Sequence, residues 1–429
     1  MLESPQVGCS LTLVGHKSFC FSMDAFFRYI VERGYVYQQT HNITELGSGP
    51  FCGYVGFDCT APSLHVGNLL QIMLLRTFQS FGHIPKVVLG GATTQIGDPS
   101  GKNTMRKTPP IEEVRHNKAS LQRVFSRFLN FSQADHDNPI VLDNLDWLEG
   151  VGYLNFLKDY GGFFSINRMV GLDFVKTRLE NNHPLSLLEL NYMVFQAYDF
   201  LELKRRHACT IQFGGSDQWG NILNGVDLIH RVTGDTVLGI TTPLIMTSSG
   251  TKMGKTEQGA IWLNEEMLSP YEYWQFWRNT ADADVIKFLM LYTEIPTNEI
   301  REMGETTSIN DLKTALADEA TKLCHGVDAA NKAKETAKKI FEEHTTSSGL
   351  PRIQLNREAL GVNFQVYKIF VLSGLCSSGN AAKSLIKDGG AKFNGVLLSD
   401  PLESIQTNNL SDEVVVSLGK KRNYIISLE

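Results

Sequence analysis

The sequence predicts an α/β fold built on a parallel sheet, and three observations predict it. A glycine-rich apolar run, Phe51 to Asp58, passes through a Pro-Ser turn into an apolar helix from about His65 to Phe81. A second run, Lys86 to Leu89, opens into Gly90-Gly91. Two more, Cys209 to Phe213 and Val237 to Met246, alternate with helical segments that begin near Leu187 and after Trp219. Strand, loop and helix in this repeated order give parallel pairing with helical crossovers. Such sheets bind ligands beyond the carboxyl ends of their strands.

The remaining segments follow in order. Asp24 to Gly34 has helical patterning. Residues 1–22 contain one lysine and no arginine, unlike a basic transit peptide or a convincing secretory signal. They are expected as a leader, with disorder and a start-site artefact both open. Residues 23–246 are the expected catalytic unit, interrupted by a polar, largely helical insertion at about 120–185. Residues 247–269 form a linker carrying a lysine-rich loop, and 270–345 are helix-rich. HTTSSGLPRIQ places a linker at 346–360, followed by a small α+β module over 361–429.

Composition bounds the function. With 429 residues, 42% hydrophobic and 20% charged, the chain is an ordinary soluble globular protein of a few domains. A net charge of -6 excludes a uniformly basic nucleic-acid coat but leaves room for local basic patches. Seven cysteines without a Cys-x-x-Cys pair fit a reducing compartment better than a disulfide framework or a structural zinc site. No apolar run approaches the roughly 20 residues that span a bilayer, so no membrane partner is expected.

Five segments carry candidate chemistry. In APSLHVGNLL, His65 and Asn68 share one side of a helix start. Free N–H groups there attract phosphate, and Gly67 lets a base or ribose approach the backbone. The bland reading is Ser63 as helix cap and His65 as an ordinary surface residue. GTKMGKT, Gly250 to Thr256, offers Lys252 and Lys255 on a glycine-containing loop. They are either cations for a triphosphate or a solvated basic turn.

GGATTQIGDPSGK, Gly90 to Lys102, is not a Walker loop. Its glycines allow close approach to a ligand, Asp98 suits an amino group or ribose, and Lys102 suits phosphate; a tight surface loop is equally open. On the helix from Leu187, Ser186 and Glu189 form a capping box. Tyr192, Gln196 and Asp199 then fall on one face among apolar neighbours. That stripe is an internal network or a ligand wall. FGGSDQWGNI, Phe213 to Ile222, sets Asp217 and Gln218 at a strand-to-helix junction.

Taken together, these segments resemble bacterial-type tyrosyl-tRNA synthetases over roughly residues 24–429. HVGN looks like the His-Ile-Gly-His signature of class I synthetases, and KMGKT like their Lys-Met-Ser-Lys-Ser loop. YVGFDCTAPSLHVGN, NYMVFQAYDF and GGSDQWGNI resemble the tyrosine-specific branch. The resemblance implies a Rossmann-like catalytic domain with a helical insertion, an α-helical domain on the anticodon side, and a C-terminal RNA-binding domain like a small-subunit ribosomal protein.

It also implies roles. Tyr54 and Asp199 would bind the phenolic hydroxyl of tyrosine, and Tyr192, Gln196 and Asp98 its α-amino group. Gln218 would lie near the attacking carboxylate. Thr60 and His65 would contact the γ-phosphate of ATP. Asp58, Gly67, Asn68 and Asp217 would bind adenylate or ribose. Lys102, Arg106, Lys252, Lys255 and Thr256 would neutralise pyrophosphate. Lys383, Lys387, Lys392, Lys420, Lys421 and Arg422 would meet tRNA phosphates, a solvated charged face being the plain alternative.

The implied reaction joins L-tyrosine to tRNA(Tyr) through an adenylate, with ATP as substrate and Mg²⁺ accompanying it. No protein-bound structural metal is expected. The resemblance further implies a homodimer with the insertion at the interface, and a bacterial cytoplasmic location with an organelle as the alternative. Two positions depart from the pattern: Asn68 stands for the second histidine, and Gly254 for the usual serine, which adds flexibility to the loop. A catalytically dead RNA-binding relative is the competing reading. It is disfavoured because Tyr54, His65, Asp98, Gln196, Asp199, Lys252 and Lys255 are all present.

Overall fold

The computed structural model describes residues 23–46, 49–100, 106, 108–133, 139–256, 259–341, 350–419 and 422–429. The expected leader, Lys102, Lys420 and Lys421 lie outside the described residues, as do the side chains of Lys255 and Thr256.

The main sheet has six strands. In chain order these are β1 (Gln38–Gln39), β2 (Cys52–Phe57), β3 (Ile84–Leu89), β4 (Val141–Asp143), β5 (Cys209–Gly215) and β6 (Leu238–Thr242). Their spatial order is β1-β6-β5-β2-β3-β4. β1 runs antiparallel to β6, and the other neighbours are parallel. The chain therefore winds outward in opposite directions from the β2–β5 pair. The ends of these two strands flank the crevice where open sheets bind ligands.

Nine helices accompany the sheet among the described residues. α1 (Met23–Glu32), α2 (Val66–Ser80) and α3 (Ile111–Phe128) cover one face. Four short helices follow, α4 (Leu145–Leu148), α5 (Tyr153–Tyr160), α6 (Ile166–Val170) and α7 (Asp173–Glu180). With α8 (Leu187–His207) and α9 (Trp219–Thr233) they cover the other face. Side-chain alternation along β2 feeds both cores. Val55 and Phe57 enter the first, and Cys52 and Tyr54 enter the second.

Residues 120–185, expected as an insertion, do more than that. α3 belongs to the catalytic core through Val114, Leu121, Val124 and Phe125. β4 forms the sheet edge against β3. The inserted helices begin only at Leu145. A three-residue strand inside a polar stretch gives no usable period, so the sequence concealed it.

After β6 come a short hairpin, β7 (Lys255–Thr256) with β8 (Gly259–Ala260), and then five helices. These are α10 (Pro270–Arg278), α11 (Val285–Tyr292), α12 (Thr297–Thr306), α13 (Ile309–His325) and α14 (Val327–Phe341). Ser269 caps α10 and Pro270 opens it, which is the favoured arrangement at a helix start. Trp277, Tyr273 and Tyr292 are fully buried in the core shared with α1 to α3.

The C-terminal module starts earlier than expected. β9 (Arg352–Leu355) falls in the anticipated linker yet pairs in parallel with the last strand. The module continues with β10 (Asn363–Gln365), α15 (Tyr367–Leu372), α16 (Gly379–Lys387), β11 (Ala391–Phe393) and β12 (Val396–Leu397). It ends with β13 (Ser404–Gln406), β14 (Glu413–Leu418) and β15 (Arg422–Leu428). Five of its strands form one sheet, ordered β12-β11-β14-β15-β9, over a separate core that includes Phe370, Ile386 and Val416.

α8 matters most for function, and its start is strongly fixed. Ser186 and Glu189 exchange capping-box hydrogen bonds, as the sequence predicted. Glu189 also pairs at 2.6 Å with Arg178, both side chains being 2% exposed. Arg178→Met leaves that carboxylate buried without its cation. It is expected to cost about 3–5 kcal/mol, measured as a shift of the urea unfolding curve.

Candidate active site

A cavity of about 400 Å³ opens at the carboxyl ends of β2 and β5. It is lined by Asp58, Thr60, His65, Gly67, Asn68, Asp98, Arg106, Tyr192, Gln196, Asp217, Gln218 and Lys252. An inner, narrower cavity shares Asp58, Tyr192, Gln196 and Gln218 with it and ends on Tyr54, Gln212 and Asp199. The structure thus gathers the predicted small-molecule residues from five sequence regions. Lys102 and the side chains of Lys255 and Thr256, outside the described residues, are excepted.

The inner end is enclosed and polar. Tyr54 is 1% exposed, and its ring lies 5.3 Å from that of Phe200 on α8. Its hydroxyl has no hydrogen-bond partner. Asp199 is equally enclosed, and it accepts from Trp147 Nε1 at 2.7 Å and Asn144 Nδ2 at 3.0 Å. Burial pushes the Asp199 carboxyl up to about 7, while those two donors hold it down. Burial, reinforced by Asp199, also raises Tyr54 well above its ordinary value, so the phenol stays protonated. Gln212 contributes a second buried acceptor without a partner, Oε1.

The middle of the site is a connected polar network. Asp58 accepts from Tyr192 at 3.0 Å and from Thr93 at 2.9 Å. Burial first, and the neighbouring Asp98 second, push the Asp58 carboxyl up to about 6. Asp98 accepts from Gln218 Nε2 at 2.8 Å and from the Ser100 amide at 2.9 Å, and burial raises it also. Arg106 donates to the Asp98 carbonyl at 2.6 Å. Asn221 Nδ2 donates to Gln196 and Gln218 at 2.9 and 3.2 Å. Two carboxyls facing one cavity, Asp98 buried and Asp58 half-buried, give a site suited to an ammonium group.

The nucleotide end corrects two expectations. His65, not Ser63, caps α2: its Nδ1 accepts from the Gly67 amide at 3.1 Å, and Asn68 Oδ1 accepts from the His65 amide at 3.2 Å. The α2 amides are therefore engaged rather than free for phosphate. Asn68 retains a structural duty that does not need a second histidine. Gly254, expected to add flexibility to the lysine loop, is buried against α2. Lys252 is exposed at the cavity wall, Thr60 and Asp217 are exposed, and Trp262 brings its ring to 6.3 Å from His65.

Gly90 and Gly91 also differ from expectation. A Cβ at Gly90 would collide with Asp58 and Thr93, and one at Gly91 with Asp143. Their smallness makes room for the protein's own carboxylates rather than for a ligand. The predicted RNA-facing residues divide. Lys387 and Lys392 are exposed, while the Lys383 ammonium lies 4.5 Å from the Tyr367 ring centroid. Arg422 is half-buried and lines a separate cavity of about 410 Å³ against α10.

Sequence reading missed Thr93, Asn144, Trp147, Gln212 and Asn221. Asn144 and Trp147 follow β4, the strand hidden in the presumed insertion. Asn221 sits three residues after Gln218 on the same helical turn, a spacing that signalled its proximity.

The family model for tRNA synthetases class I (W and Y) matches residues 48–342. A tyrosine–tRNA ligase of Caulobacter vibrioides is 47% identical over 407 residues, covering 94% of this chain and 97% of that protein. One from Rickettsia typhi is 46% identical over 410 residues, covering 94% and 100%. A C-terminally truncated mitochondrial tyrosyl-tRNA synthetase of Aspergillus nidulans superposes with a TM-score of 0.64 at 30% identity, over 74% of this chain and 94% of that one. The chain belongs to the class I tRNA synthetase family of the W and Y type.

Proposed function

We propose that this protein activates L-tyrosine with ATP to tyrosyl-adenylate and pyrophosphate, then transfers the tyrosyl group to the 3′-terminal adenosine of tRNA(Tyr). The observation that carries this is the unpartnered Tyr54 hydroxyl, buried with Asp199 at the blind end of the cavity. A substrate phenol supplies the missing partner for Tyr54. Its own proton goes toward Asp199. Phenylalanine leaves the buried Tyr54 hydroxyl unsatisfied and brings Asp199 no further donor, so it is rejected. The relatives' names, tyrosine–tRNA ligase, support the same substrate.

The α-ammonium then falls among Asp58, Asp98, Tyr192 and Gln196, with the carboxylate toward Gln218. The carboxylate attacks the α-phosphorus in line, forming the anhydride and breaking the bond to pyrophosphate. Thr60, His65, Arg106 and Lys252 face the leaving charge, and Asn68 and Asp217 the ribose side. Lys102, Lys255 and Thr256 join them by their place in the sequence. In the second step a ribose hydroxyl of the tRNA attacks the tyrosyl carbonyl, and AMP departs. No protein nucleophile is required; positioning and charge stabilisation do the work.

Mg²⁺ would neutralise triphosphate charge. Among the described residues no group of three or more His, Cys, Asp or Glu is arranged to hold a metal. The nucleotide's own phosphates and water suffice as ligands.

The C-terminal module serves as the tRNA-binding part, with Lys387 and Lys392 exposed on it and residues 270–341 toward the anticodon side. The inserted helices expose Leu154 at 80% and Ile166 at 61%, and the start of α8 exposes Leu187 at 70%. An apolar surface of this kind supports a homodimer through this region. The described cysteines are all free, which supports a reducing compartment, the bacterial cytoplasm or an organelle interior. No described helix is long and apolar enough to cross a membrane.

Tyrosine-dependent exchange of pyrophosphate into ATP tests the reaction. Exchange is expected with tyrosine and Mg²⁺, and its absence overturns the reading. Asp199→Ala is expected to narrow the tyrosine-to-phenylalanine ratio of kcat/KM by about ten- to a hundredfold, the worth of a buried polar partner. An unchanged ratio removes Asp199 from substrate selection.

Acidity gives a further expectation. As pH falls, Asp199 gains a proton near 7 and Asp58 near 6, each losing acceptor capacity toward the substrate. Tyrosine affinity is therefore greatest above about pH 7 and declines below it, by up to roughly tenfold per unit for each linked proton. Equilibrium dialysis across this range, with a flat profile as the contrary result, decides it.

A further inference from the structure

Gly254 occupies the position at which the resembled loop carries serine. Its φ is +83°, and it is buried directly above the amino end of α2. A Cβ there would lie 2.7 Å from the Gly67 amide nitrogen, 3.1 Å from Val66 Cγ2 and 3.3 Å from His65 Nδ1. The contact is reciprocal. A Cβ on Gly67 would lie 2.9 Å from the Met253 carbonyl oxygen. Two glycines thus face each other, one from the HVGN segment and one from the lysine loop.

Backbone hydrogen bonds stitch the same contact from both sides. The Met253 amide donates to the Ile245 carbonyl at 2.9 Å, and the Ile261 amide to the Gly254 carbonyl at 3.1 Å. The Val66 amide donates in turn to the Ile261 carbonyl at 2.9 Å. His65 and Trp262 form an isolated antiparallel bridge beside it, as do Met246 and Lys252. Gly254 is the point where this ladder meets the helix with no side chain between.

We propose that Gly254 is a positioning residue: its missing Cβ lets the lysine loop dock on Gly67 at the start of α2, which holds Lys252 at the nucleotide cavity before ATP arrives. The close approach leaves no room for a side chain. The nearest atom is the Gly67 backbone nitrogen, which cannot swing aside cheaply, and a Val66 methyl and the capping ring of His65 stand beside it. A side chain at 254 lifts the loop, moves Lys252 away from the cavity and disturbs the His65 cap. The cost falls on ATP capture rather than on tyrosine, whose pocket lies at the inner end.

Gly250 provides the control. It belongs to the same loop and has a similar φ of +80°, but a Cβ there meets nothing within 4 Å. Gly250→Ala carries the backbone strain without the collision, so the difference between the two variants isolates the contact.

The experiment compares Gly254→Ala and Gly250→Ala with the unaltered chain. It uses limited trypsin digestion at the loop without nucleotide, equilibrium binding of tyrosine, and exchange kinetics with varied ATP. Gly254→Ala is expected to raise the loop cleavage rate and the KM for ATP by about five- to twentyfold, as expected for lost preorganisation. Its tyrosine affinity should stay within about twofold, which reports an intact fold, and Gly250→Ala should shift each readout far less. Equal effects of the two variants, unchanged cleavage in Gly254→Ala, or loss of its tyrosine binding each overturn the proposal. The kinetic arm alone rests on the adenylation reading. If the unaltered chain shows no exchange, that reading fails while the cleavage comparison still decides the role of Gly254.

Discussion

The burial of the Asp199 carboxyl beside the Tyr54 hydroxyl is the interaction on which the rest of the site depends. A carboxyl at that depth loses most of its hydration, which is why it is pushed up to about 7. It is tolerated because Trp147 and Asn144 aim two N–H groups at its two oxygens. Those donors come from the residues after β4. A sheet edge of only three residues is thus needed to furnish the floor of the cavity. The network extends further, because Asn144 also donates to Thr93, and Thr93 to Asp58. One connected chain of hydrogen bonds joins the phenol end to the ammonium end.

This connectivity explains why α8 begins with so much reinforcement. Tyr192, Gln196 and Asp199 project from one helix, so a shift of its start would displace all three together. Ser186, Glu189 and Arg178 pin the first turn with a cap and a buried ion pair. The cation of that pair comes from the end of α7, so the inserted helices fix α8 as well as exposing apolar surface. The cost of desolvating two charges is accepted at a place where geometry matters more than stability.

Periodicity made most of the sheet legible, together with α2, α8 and the capping box at Ser186. The spacing of Tyr192, Gln196 and Asp199 exposed a polar face, and residue types at the strand ends pointed to a ligand. What stayed hidden had identifiable reasons. β4 and β9 are three and four residues long, too short to show alternation against polar surroundings. Their partners are remote in sequence, β9 pairing with a strand some seventy residues later. The cap at His65 was misread because histidine is an uncommon cap, while Ser63 looked like a conventional one. Gly90 and Gly91 read as ligand-contacting residues, because sequence does not reveal that Asp58 and Asp143 fill the space beside them.

The two ends of the cavity obey different physics. At the proposed tyrosine end, specificity would come from desolvated groups, so rigidity is the asset and the donors around Asp199 supply it. At the nucleotide end the substrate carries several charges that water screens well. A fixed, dry cage would be costly to fill there. The chain instead keeps Lys252 exposed above a backbone ladder, which on the proposal above limits its freedom. Preorganisation thus acts through side-chain hydrogen bonds at one end and main-chain packing at the other. The switch between the two occurs across Asp58 and Asp98, which border both chambers or face the outer one. On the reading proposed above, a substrate whose ammonium sat there would be held at its middle, with its carboxylate free to meet the phosphate.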